Sequence, residues 1–381
     1  MDTPPPPRRS AATRPEGASV RVGALVPLTR PGWTEAGRHL LAGLELGVRE
    51  ANLTGGIGGR PLALAVRDTA ADPRRAVAAV DALADLGVAA LAGEYHSVTA
   101  RSVATRADAL GLPFLCSSAV LDALAEQPVE RVARLSPPQS RGWRVYADFL
   151  LGAGHRRVAV AAQRSVYWAA GARVLREHLA PRGGTVAELD MDALTPAAVC
   201  DELVRRRATA LLLLAGHPEP AVSVVRAVRG DRRLAALTIG APAGQPEFAC
   251  WATALGGDGA GVPFLRYLPA RLTPLGERVR RDLRARLGEA PSFVAFEGYD
   301  TAAVLAAALR APGGVSWPGV EVAGTRGRIT FSRTPGTGVW QWAGAPVQIT
   351  DRDPAAPDRF RVLHTDRRGG QDRQGRQGTA A

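Results

Sequence analysis

Lysine is absent from this chain: all 48 basic side chains are arginine, set against 36 acidic ones for a formal net charge of +12. That excess is spread rather than gathered. Arg8, Arg9 and Arg14 face Asp2 and Glu16 in the first 19 residues, and residues 351–381 carry seven arginines against five aspartates, so the body holds most of the surplus. With no basic tail, aromatics at 5% and no stacking motif, nucleic acid is not an expected partner. Cysteine is equally scarce. Cys116, Cys200 and Cys250 are far apart and odd in number, without CxxC or Cys/His ligand spacing, which argues against a disulfide framework or zinc site and leaves structural thiols. No metal and no cofactor are expected. No apolar run approaches the roughly 20 residues of a membrane span. Met1 to Ser19 is rich in proline and arginine and has no apolar core of a signal peptide, so the address is cytoplasmic as written and extracytoplasmic if an export signal precedes it. HExxH, GxSxG and P-loop motifs are missing too, which disfavours an enzyme. His39, His155 and His178 read as surface or helix residues.

What is present is hydrophobic periodicity. At 381 residues and 46% hydrophobic, the chain is long enough for two domains with a core each. Leu40, Leu41, Leu44, Val48 and Ala51 recur at helical spacing, and Gly55-Gly56-Ile57-Gly58-Gly59 ends that helix. A strand over Leu62 to Asp68 follows. Asp72-Pro73 reads as N-cap and first helical residue, Val77, Val80, Leu83 and Leu86 form the next apolar stripe, and Val88 to Ala92 is a short buried strand. Two strands joined through a helix of this length require a parallel crossover, so the fold class is α/β. The glycine run is no dinucleotide fingerprint, because it follows a helix and precedes a strand.

The same alternation runs onward. Val20 to Val26 is the first parallel strand, a loop holding Trp33 follows, and Leu112 to Cys116 is the fourth strand, with Ser117 and Ser118 at its end. Ser136-Pro137-Pro138 breaks the pattern and marks a first crossing. Strands over Arg157 to Ala162, Thr185 to Asp190, Ala210 to Ala215 and Leu234 to Gly240, separated by helices, make a second lobe of like construction. A second crossing is expected over Val262 to Pro269. Helices Pro274 to Leu287 and Ser292 to Leu309 return to the first lobe, and Gly324 to Ser332 reads as one strand. A third crossing near Arg333 to Gly338 would lead to an antiparallel finish on the second lobe over Val339 to Trp342, Val347 to Thr350 and Phe360 to His364. The expected division is 20–136 with 266–335 for lobe one and 137–265 with 338–365 for lobe two, flanked by a disordered leader (1–19) and tail (366–381).

Several stretches resemble the class I solute-binding proteins, in particular the branched-chain amino-acid (Leu/Ile/Val) receptors of ABC importers. They are Gly43 to Asn52 with the glycine turn up to Leu62, Asp68-Thr69-Ala70-Ala71-Asp72-Pro73, Gly93 to Ser97, and Gly111-Leu112-Pro113. The resemblance implies two Rossmann-like lobes joined by three hinge crossings, closing on a small ligand in the cleft, with an ABC permease as partner. It also implies site residues. Ser97 falls on the serine that bonds the ligand carboxylate, although a plain N-cap is the alternative. Ser118 and Ala119 fall where the carboxylate site is completed, and Tyr167, followed by Trp168, on the second-lobe tyrosine that faces the ligand. Trp33, in the loop after the first strand, is a further ligand-binding candidate that the resemblance does not itself supply. Gly216 stands where the family has an aromatic residue, and Ala241-Pro242-Ala243 where it has the acid that pairs with a ligand ammonium.

Either Glu219 or Glu247 substitutes for that acid, or the ligand is not an α-amino acid, because an uncompensated buried ammonium is strongly disfavoured. The expected ligand is an amino-acid-like compound or an amide or carboxylate larger than leucine. An importer's binding component is the leading expectation, and a cytoplasmic small-molecule sensor on the same fold is the alternative.

Overall fold

The computed structural model of the protein describes residues 19–216 and 218–366. The leader expected over 1–19 and the tail over 366–381 lie, except for Ser19 and Asp366, outside the described residues. The chain opens with β1 (Val20–Val26), α1 (Thr34–Leu53), β2 (Leu62–Asp68), α2 (Pro73–Asp85), β3 (Ala90–Gly93), α3 (Ser97–Ala109), β4 (Phe114–Cys116) and β5 (Val132–Arg134). These strands are all parallel, in the order β2, β1, β3, β4, β5. The expected cap is present: the Asp72 carboxylate accepts the Arg75 N–H at 2.8 Å, with Pro73 at the first helical position.

The chain then crosses to α4 (Gln139–Gly152), β6 (Arg157–Ala162), α5 (Val166–Leu179), β7 (Thr185–Asp190), α6 (Pro196–Arg205), β8 (Ala210–Leu214), α7 (Ala221–Gly230), β9 (Thr238–Gly240) and α8 (Ala249–Leu255). Their sheet is parallel, in the order β7, β6, β8, β9. A bridge from Ala241 to Phe264 joins it to β10 (Phe264–Arg266). Beyond Arg266 the chain returns to the first lobe as α9 (Pro274–Leu287) and α10 (Phe293–Arg310). Helix α10 lies along α1 with backbones in near contact: a Cβ on Gly43 would fall 2.0 Å from the Ala295 carbonyl oxygen, and one on Gly298 2.3 Å from that of Leu40. Only glycine permits that approach.

The C-terminal portion corrects two expectations. The strand expected over Gly324 to Ser332 starts later, as β12 (Gly327–Arg333), and is the second arm of a hairpin whose first arm, β11 (Glu321–Gly324), was not expected; the turn is Thr325-Arg326. The next strand, β13 (Trp340–Trp342), does not belong to the second lobe. It pairs antiparallel with β12 and parallel with β5, inside the eight-stranded first-lobe sheet. The third crossing therefore follows Trp342 rather than falling near Arg333 to Gly338. Only β14 (Gln348–Asp353) and β15 (Ala356–Thr365) make the antiparallel finish, pairing with β10. Short apolar segments can join either sheet, and their spacing carries no information on which.

Candidate functional site

Both parallel sheets direct the carboxyl ends of their strands at one another, the place where open α/β sheets bind ligands. Between them lies a cleft of about 900 Å³. Its first-lobe wall is built on the loops after β3 and β4. Gly93 has φ 118, and a Cβ there would meet the Leu25 carbonyl oxygen at 2.0 Å, so glycine alone lets the chain turn into Glu94. Glu94 is fully buried. Its carboxyl accepts the N–H groups of Tyr95 (2.8 Å) and His96 (2.9 Å) and the Thr69 hydroxyl (2.5 Å), while burial pushes its pKa up to about 7. His96 is the N-cap of α3 but makes no side-chain cap; its Nε2 instead accepts the Trp33 N–H at 3.1 Å. Burial lowers its pKa to about 4, so the ring lining the cleft is neutral.

Ser97 lines the cleft as the first residue of α3 and not as its cap. Its Oγ accepts the N–H groups of Val120 (3.1 Å) and Leu121 (3.2 Å), which occupies both lone pairs and leaves the O–H to donate. Ser118 also lines the cleft, with its hydroxyl against Ser117 and the Glu297 carboxyl behind it. Glu297 is fully enclosed, and burial drives its pKa up to about 8 despite Arg326. Arg326 Nη1 lies 3.3 Å from Glu297 and Nε 2.9 Å from Asp300, with all three side chains out of contact with solvent.

Ala119 is not a wall residue. It is fully buried behind Ser118 and Val120, where its carbonyl accepts the Ser136 hydroxyl. Of the other expected residues, Trp33, Tyr167, Trp168 and Gly216 all line the cleft. Tyr167 and Trp168 stand on the first turn of α5, which Ser165 caps, with ring centroids 4.5 Å apart. Gly216 N–H donates to Gln163 Oε1 at 2.7 Å. Neither proposed substitute for the missing acid reaches the cleft. Glu219 is exposed outside it, and Glu247 is held by Arg266 (2.8 Å) and by the Phe293 N–H (3.0 Å). His217, the neighbour of Gly216, lies outside the described residues.

Several wall residues escaped the sequence reading. Tyr95 and Tyr267 join Tyr167, so three of the five tyrosines line one cleft, and Tyr167 acts with burial to raise the pKa of the other two. Their hydroxyls remain neutral donors. Glu35, in the first turn of α1, is the single acidic side chain lining the cleft among the described residues. His39, read as a surface or helix position, is buried on α1 with Nδ1 2.9 Å from the Ser292 hydroxyl. No signal in helical periodicity separates Glu35 from an ordinary first-turn acid. The cleft presents neutral hydroxyls and aromatic faces, and among the described residues there is no cluster of three or more potential metal ligands.

A profile of the periplasmic binding protein family matches residues 19–363, and the chain belongs to that family of ligand-binding transport proteins. It is 30% identical to a Leu/Ile/Val-binding protein homolog from Brucella melitensis over 128 residues, which are 33% of this chain and 32% of that relative. The chain thus spans about a third of the length of the curated relatives it matches. In structure it is similar to a leucine binding protein, LivK, from Thermotoga maritima (TM-score 0.77, 18% identity, 91% of this chain and 98% of that one). It is also similar to the branched-chain amino acid transporter protein LivJ from Streptococcus pneumoniae in complex with isoleucine (TM-score 0.77, 16% identity, 91% and 99%). A solute binding protein from R. palustris in complex with benzoate shares the fold as well (TM-score 0.74, 17% identity, 91% and 96%).

Proposed function

We propose that the protein is the solute-binding component of an ABC-type importer, taking a small carboxylate- or amide-bearing ligand between its lobes by hinge closure and presenting it to a permease. The observation that carries this reading is the cleft itself. Ser97 keeps one free hydroxyl donor beside the start of α3, where helix polarity favours an anion, while Tyr167 and Trp168 offer apolar faces opposite. A volume of about 900 Å³ leaves room for a ligand larger than leucine. Kinship with Leu/Ile/Val-binding proteins supports an amino-acid-like solute, and the benzoate-bound structure of like fold supports tolerance of a ring. An extracytoplasmic site of action follows from the importer role. No helix among the described residues is long and apolar enough to cross a membrane.

A thermal-shift screen of branched-chain and aromatic amino acids, short amides, urea and small carboxylates tests the reading. A ligand at 100 times its Kd adds about 2.7 kcal/mol of stability. No shift with any compound would count against it.

A further inference from the structure

The stretch where an acid for a ligand amine was expected, Ala241-Pro242-Ala243, carries none and neither Glu219 nor Glu247 lines the cleft, yet the cleft holds two other acceptors with bonding capacity to spare. Glu35 lines it from the first lobe. One of its oxygens, Oε1, accepts the Cys250 N–H at a long 3.3 Å, its carboxylate also accepts from the Cys250 thiol, and it forms no ion pair among the described residues. Cys250 is on α8 of the second lobe, so this carboxylate already reaches across the cleft. Gln245 lines the cleft from the second lobe and is 2% exposed. Its Nε2 donates to the Ala215 carbonyl at 2.7 Å, which fixes the amide orientation, since the reverse would set two oxygens against each other. The Gln245 Oε1 then has no donor among the described residues. A buried acceptor without a donor is disfavoured, and a ligand N–H is the group that would relieve it.

We infer that Glu35 and Gln245 form the subsite for a ligand's amine, displaced from the family's usual second-lobe acid to two residues on facing walls. The inference rests on the solute-binding reading and narrows it. The ligand carries an ammonium or comparable N–H donor together with its carboxylate, and that donor bonds to both lobes at once. It therefore draws the lobes together, where a carboxylate bound only to Ser97 and Ser118 would engage one. Arg30, the one arginine lining the cleft among the described residues, is exposed and forms no ion pair with Glu35 among them.

Calorimetric titration of the full chain with matched pairs tests this: leucine against 4-methylpentanoate, and phenylalanine against 3-phenylpropanoate. In the wild type the amine-bearing member of a pair binds more tightly, by about 10- to 100-fold, as for a hydrogen bond to a charged group. Glu35→Gln keeps the size and the acceptor toward Cys250, and it erases most of that preference while leaving affinity for the amine-free member unchanged. Gln245→Met, which keeps volume, reduces the same preference by a smaller factor. Melting temperatures of both variants establish that they fold. Equal wild-type affinity within each pair, or a Glu35→Gln loss shared equally by both members, overturns the inference while the solute-binding reading stands. Absence of binding by all four compounds and by every member of the thermal-shift screen overturns both.

Discussion

The two walls of the cleft are held by different means. In the first lobe the wall from Tyr95 to Ser97 and at Ser118 is secured from behind by polar groups: Glu94 fixes the Tyr95-His96 turn, the Val120 and Leu121 amides fix Ser97, and Glu297 with Arg326 and Asp300 underlies Ser118. In the second lobe Tyr167 and Trp168 are half-buried on a first helical turn, beside Gly216, Pro242 and Ala243, which contribute shape more than bonds. A network of buried polar groups resists displacement because any shift orphans several of them. An aromatic wall adapts at little cost. On the reading proposed above, the first lobe fixes the ligand's carboxylate, and the aromatic faces of the second set the size it accepts.

Breaking the first-lobe network should have the largest effect. Arg326→Met leaves Asp300 and Glu297 buried without their cation and is expected to lower stability by about 3 to 5 kcal/mol, read by denaturant unfolding. The second lobe supplies the contrast: Glu202→Gln removes a partly exposed surface carboxylate paired with Arg205 and Arg206 and should move the midpoint far less than Arg326→Met does. Equal losses would erase the distinction drawn here.

The same network predicts a pH dependence. Glu94 and Glu297 titrate near 7 and 8 when folded, against an ordinary carboxyl value of 4.5, so the folded state holds more protons and stability is lost as pH rises across that interval. His96 works oppositely, since its folded value near 4 lies below the ordinary 6.5 and its contribution is complete above 6.5. From about pH 6.5 to 8 only the carboxyls remain, and the melting temperature should fall. Glu297→Gln should flatten that decline, and an unchanged slope would contradict the assignment.

Smaller effects separate the walls by what they do for a ligand. Ser97→Ala removes the free donor and also orphans two amides, so affinity and stability should both fall, each by about 1 to 3 kcal/mol, measured by calorimetry and denaturation. Trp168→Ala should weaken binding of a ring-bearing ligand by about 0.5 to 1.5 kcal/mol beyond lost contact area, with stability little changed. A stability loss in Trp168→Ala matching that of Ser97→Ala would mean that the second wall is as rigid as the first.

How much of this was legible in the sequence follows the same division between local and distant forces. Strands β2, β6 and β7 and helix α9 fall on the bounds read from pattern alone, because their periodicity and the Asp72-Pro73 type of cap are local signals. The third crossing was misplaced because β13 is held by partners more than 200 residues away in β5, which no local pattern encodes. Ser97, Ser118, Tyr167 and Gly216 are reached through motif resemblance, Trp168 as the neighbour of Tyr167 and Trp33 from its place in the loop after β1, and all six line the cleft; Ala119 sits one position behind the wall. Glu35 and Gln245 went unseen, since a first-turn acid and a loop glutamine acquire meaning only when the lobes face each other.

Small-angle scattering tests most directly whether those lobes close on a solute. Once a compound from the screen is shown by calorimetry to bind one per chain, saturating the protein with it should reduce the radius of gyration. A ligand bound one to one that leaves the radius unchanged would contradict capture by closure of the cleft.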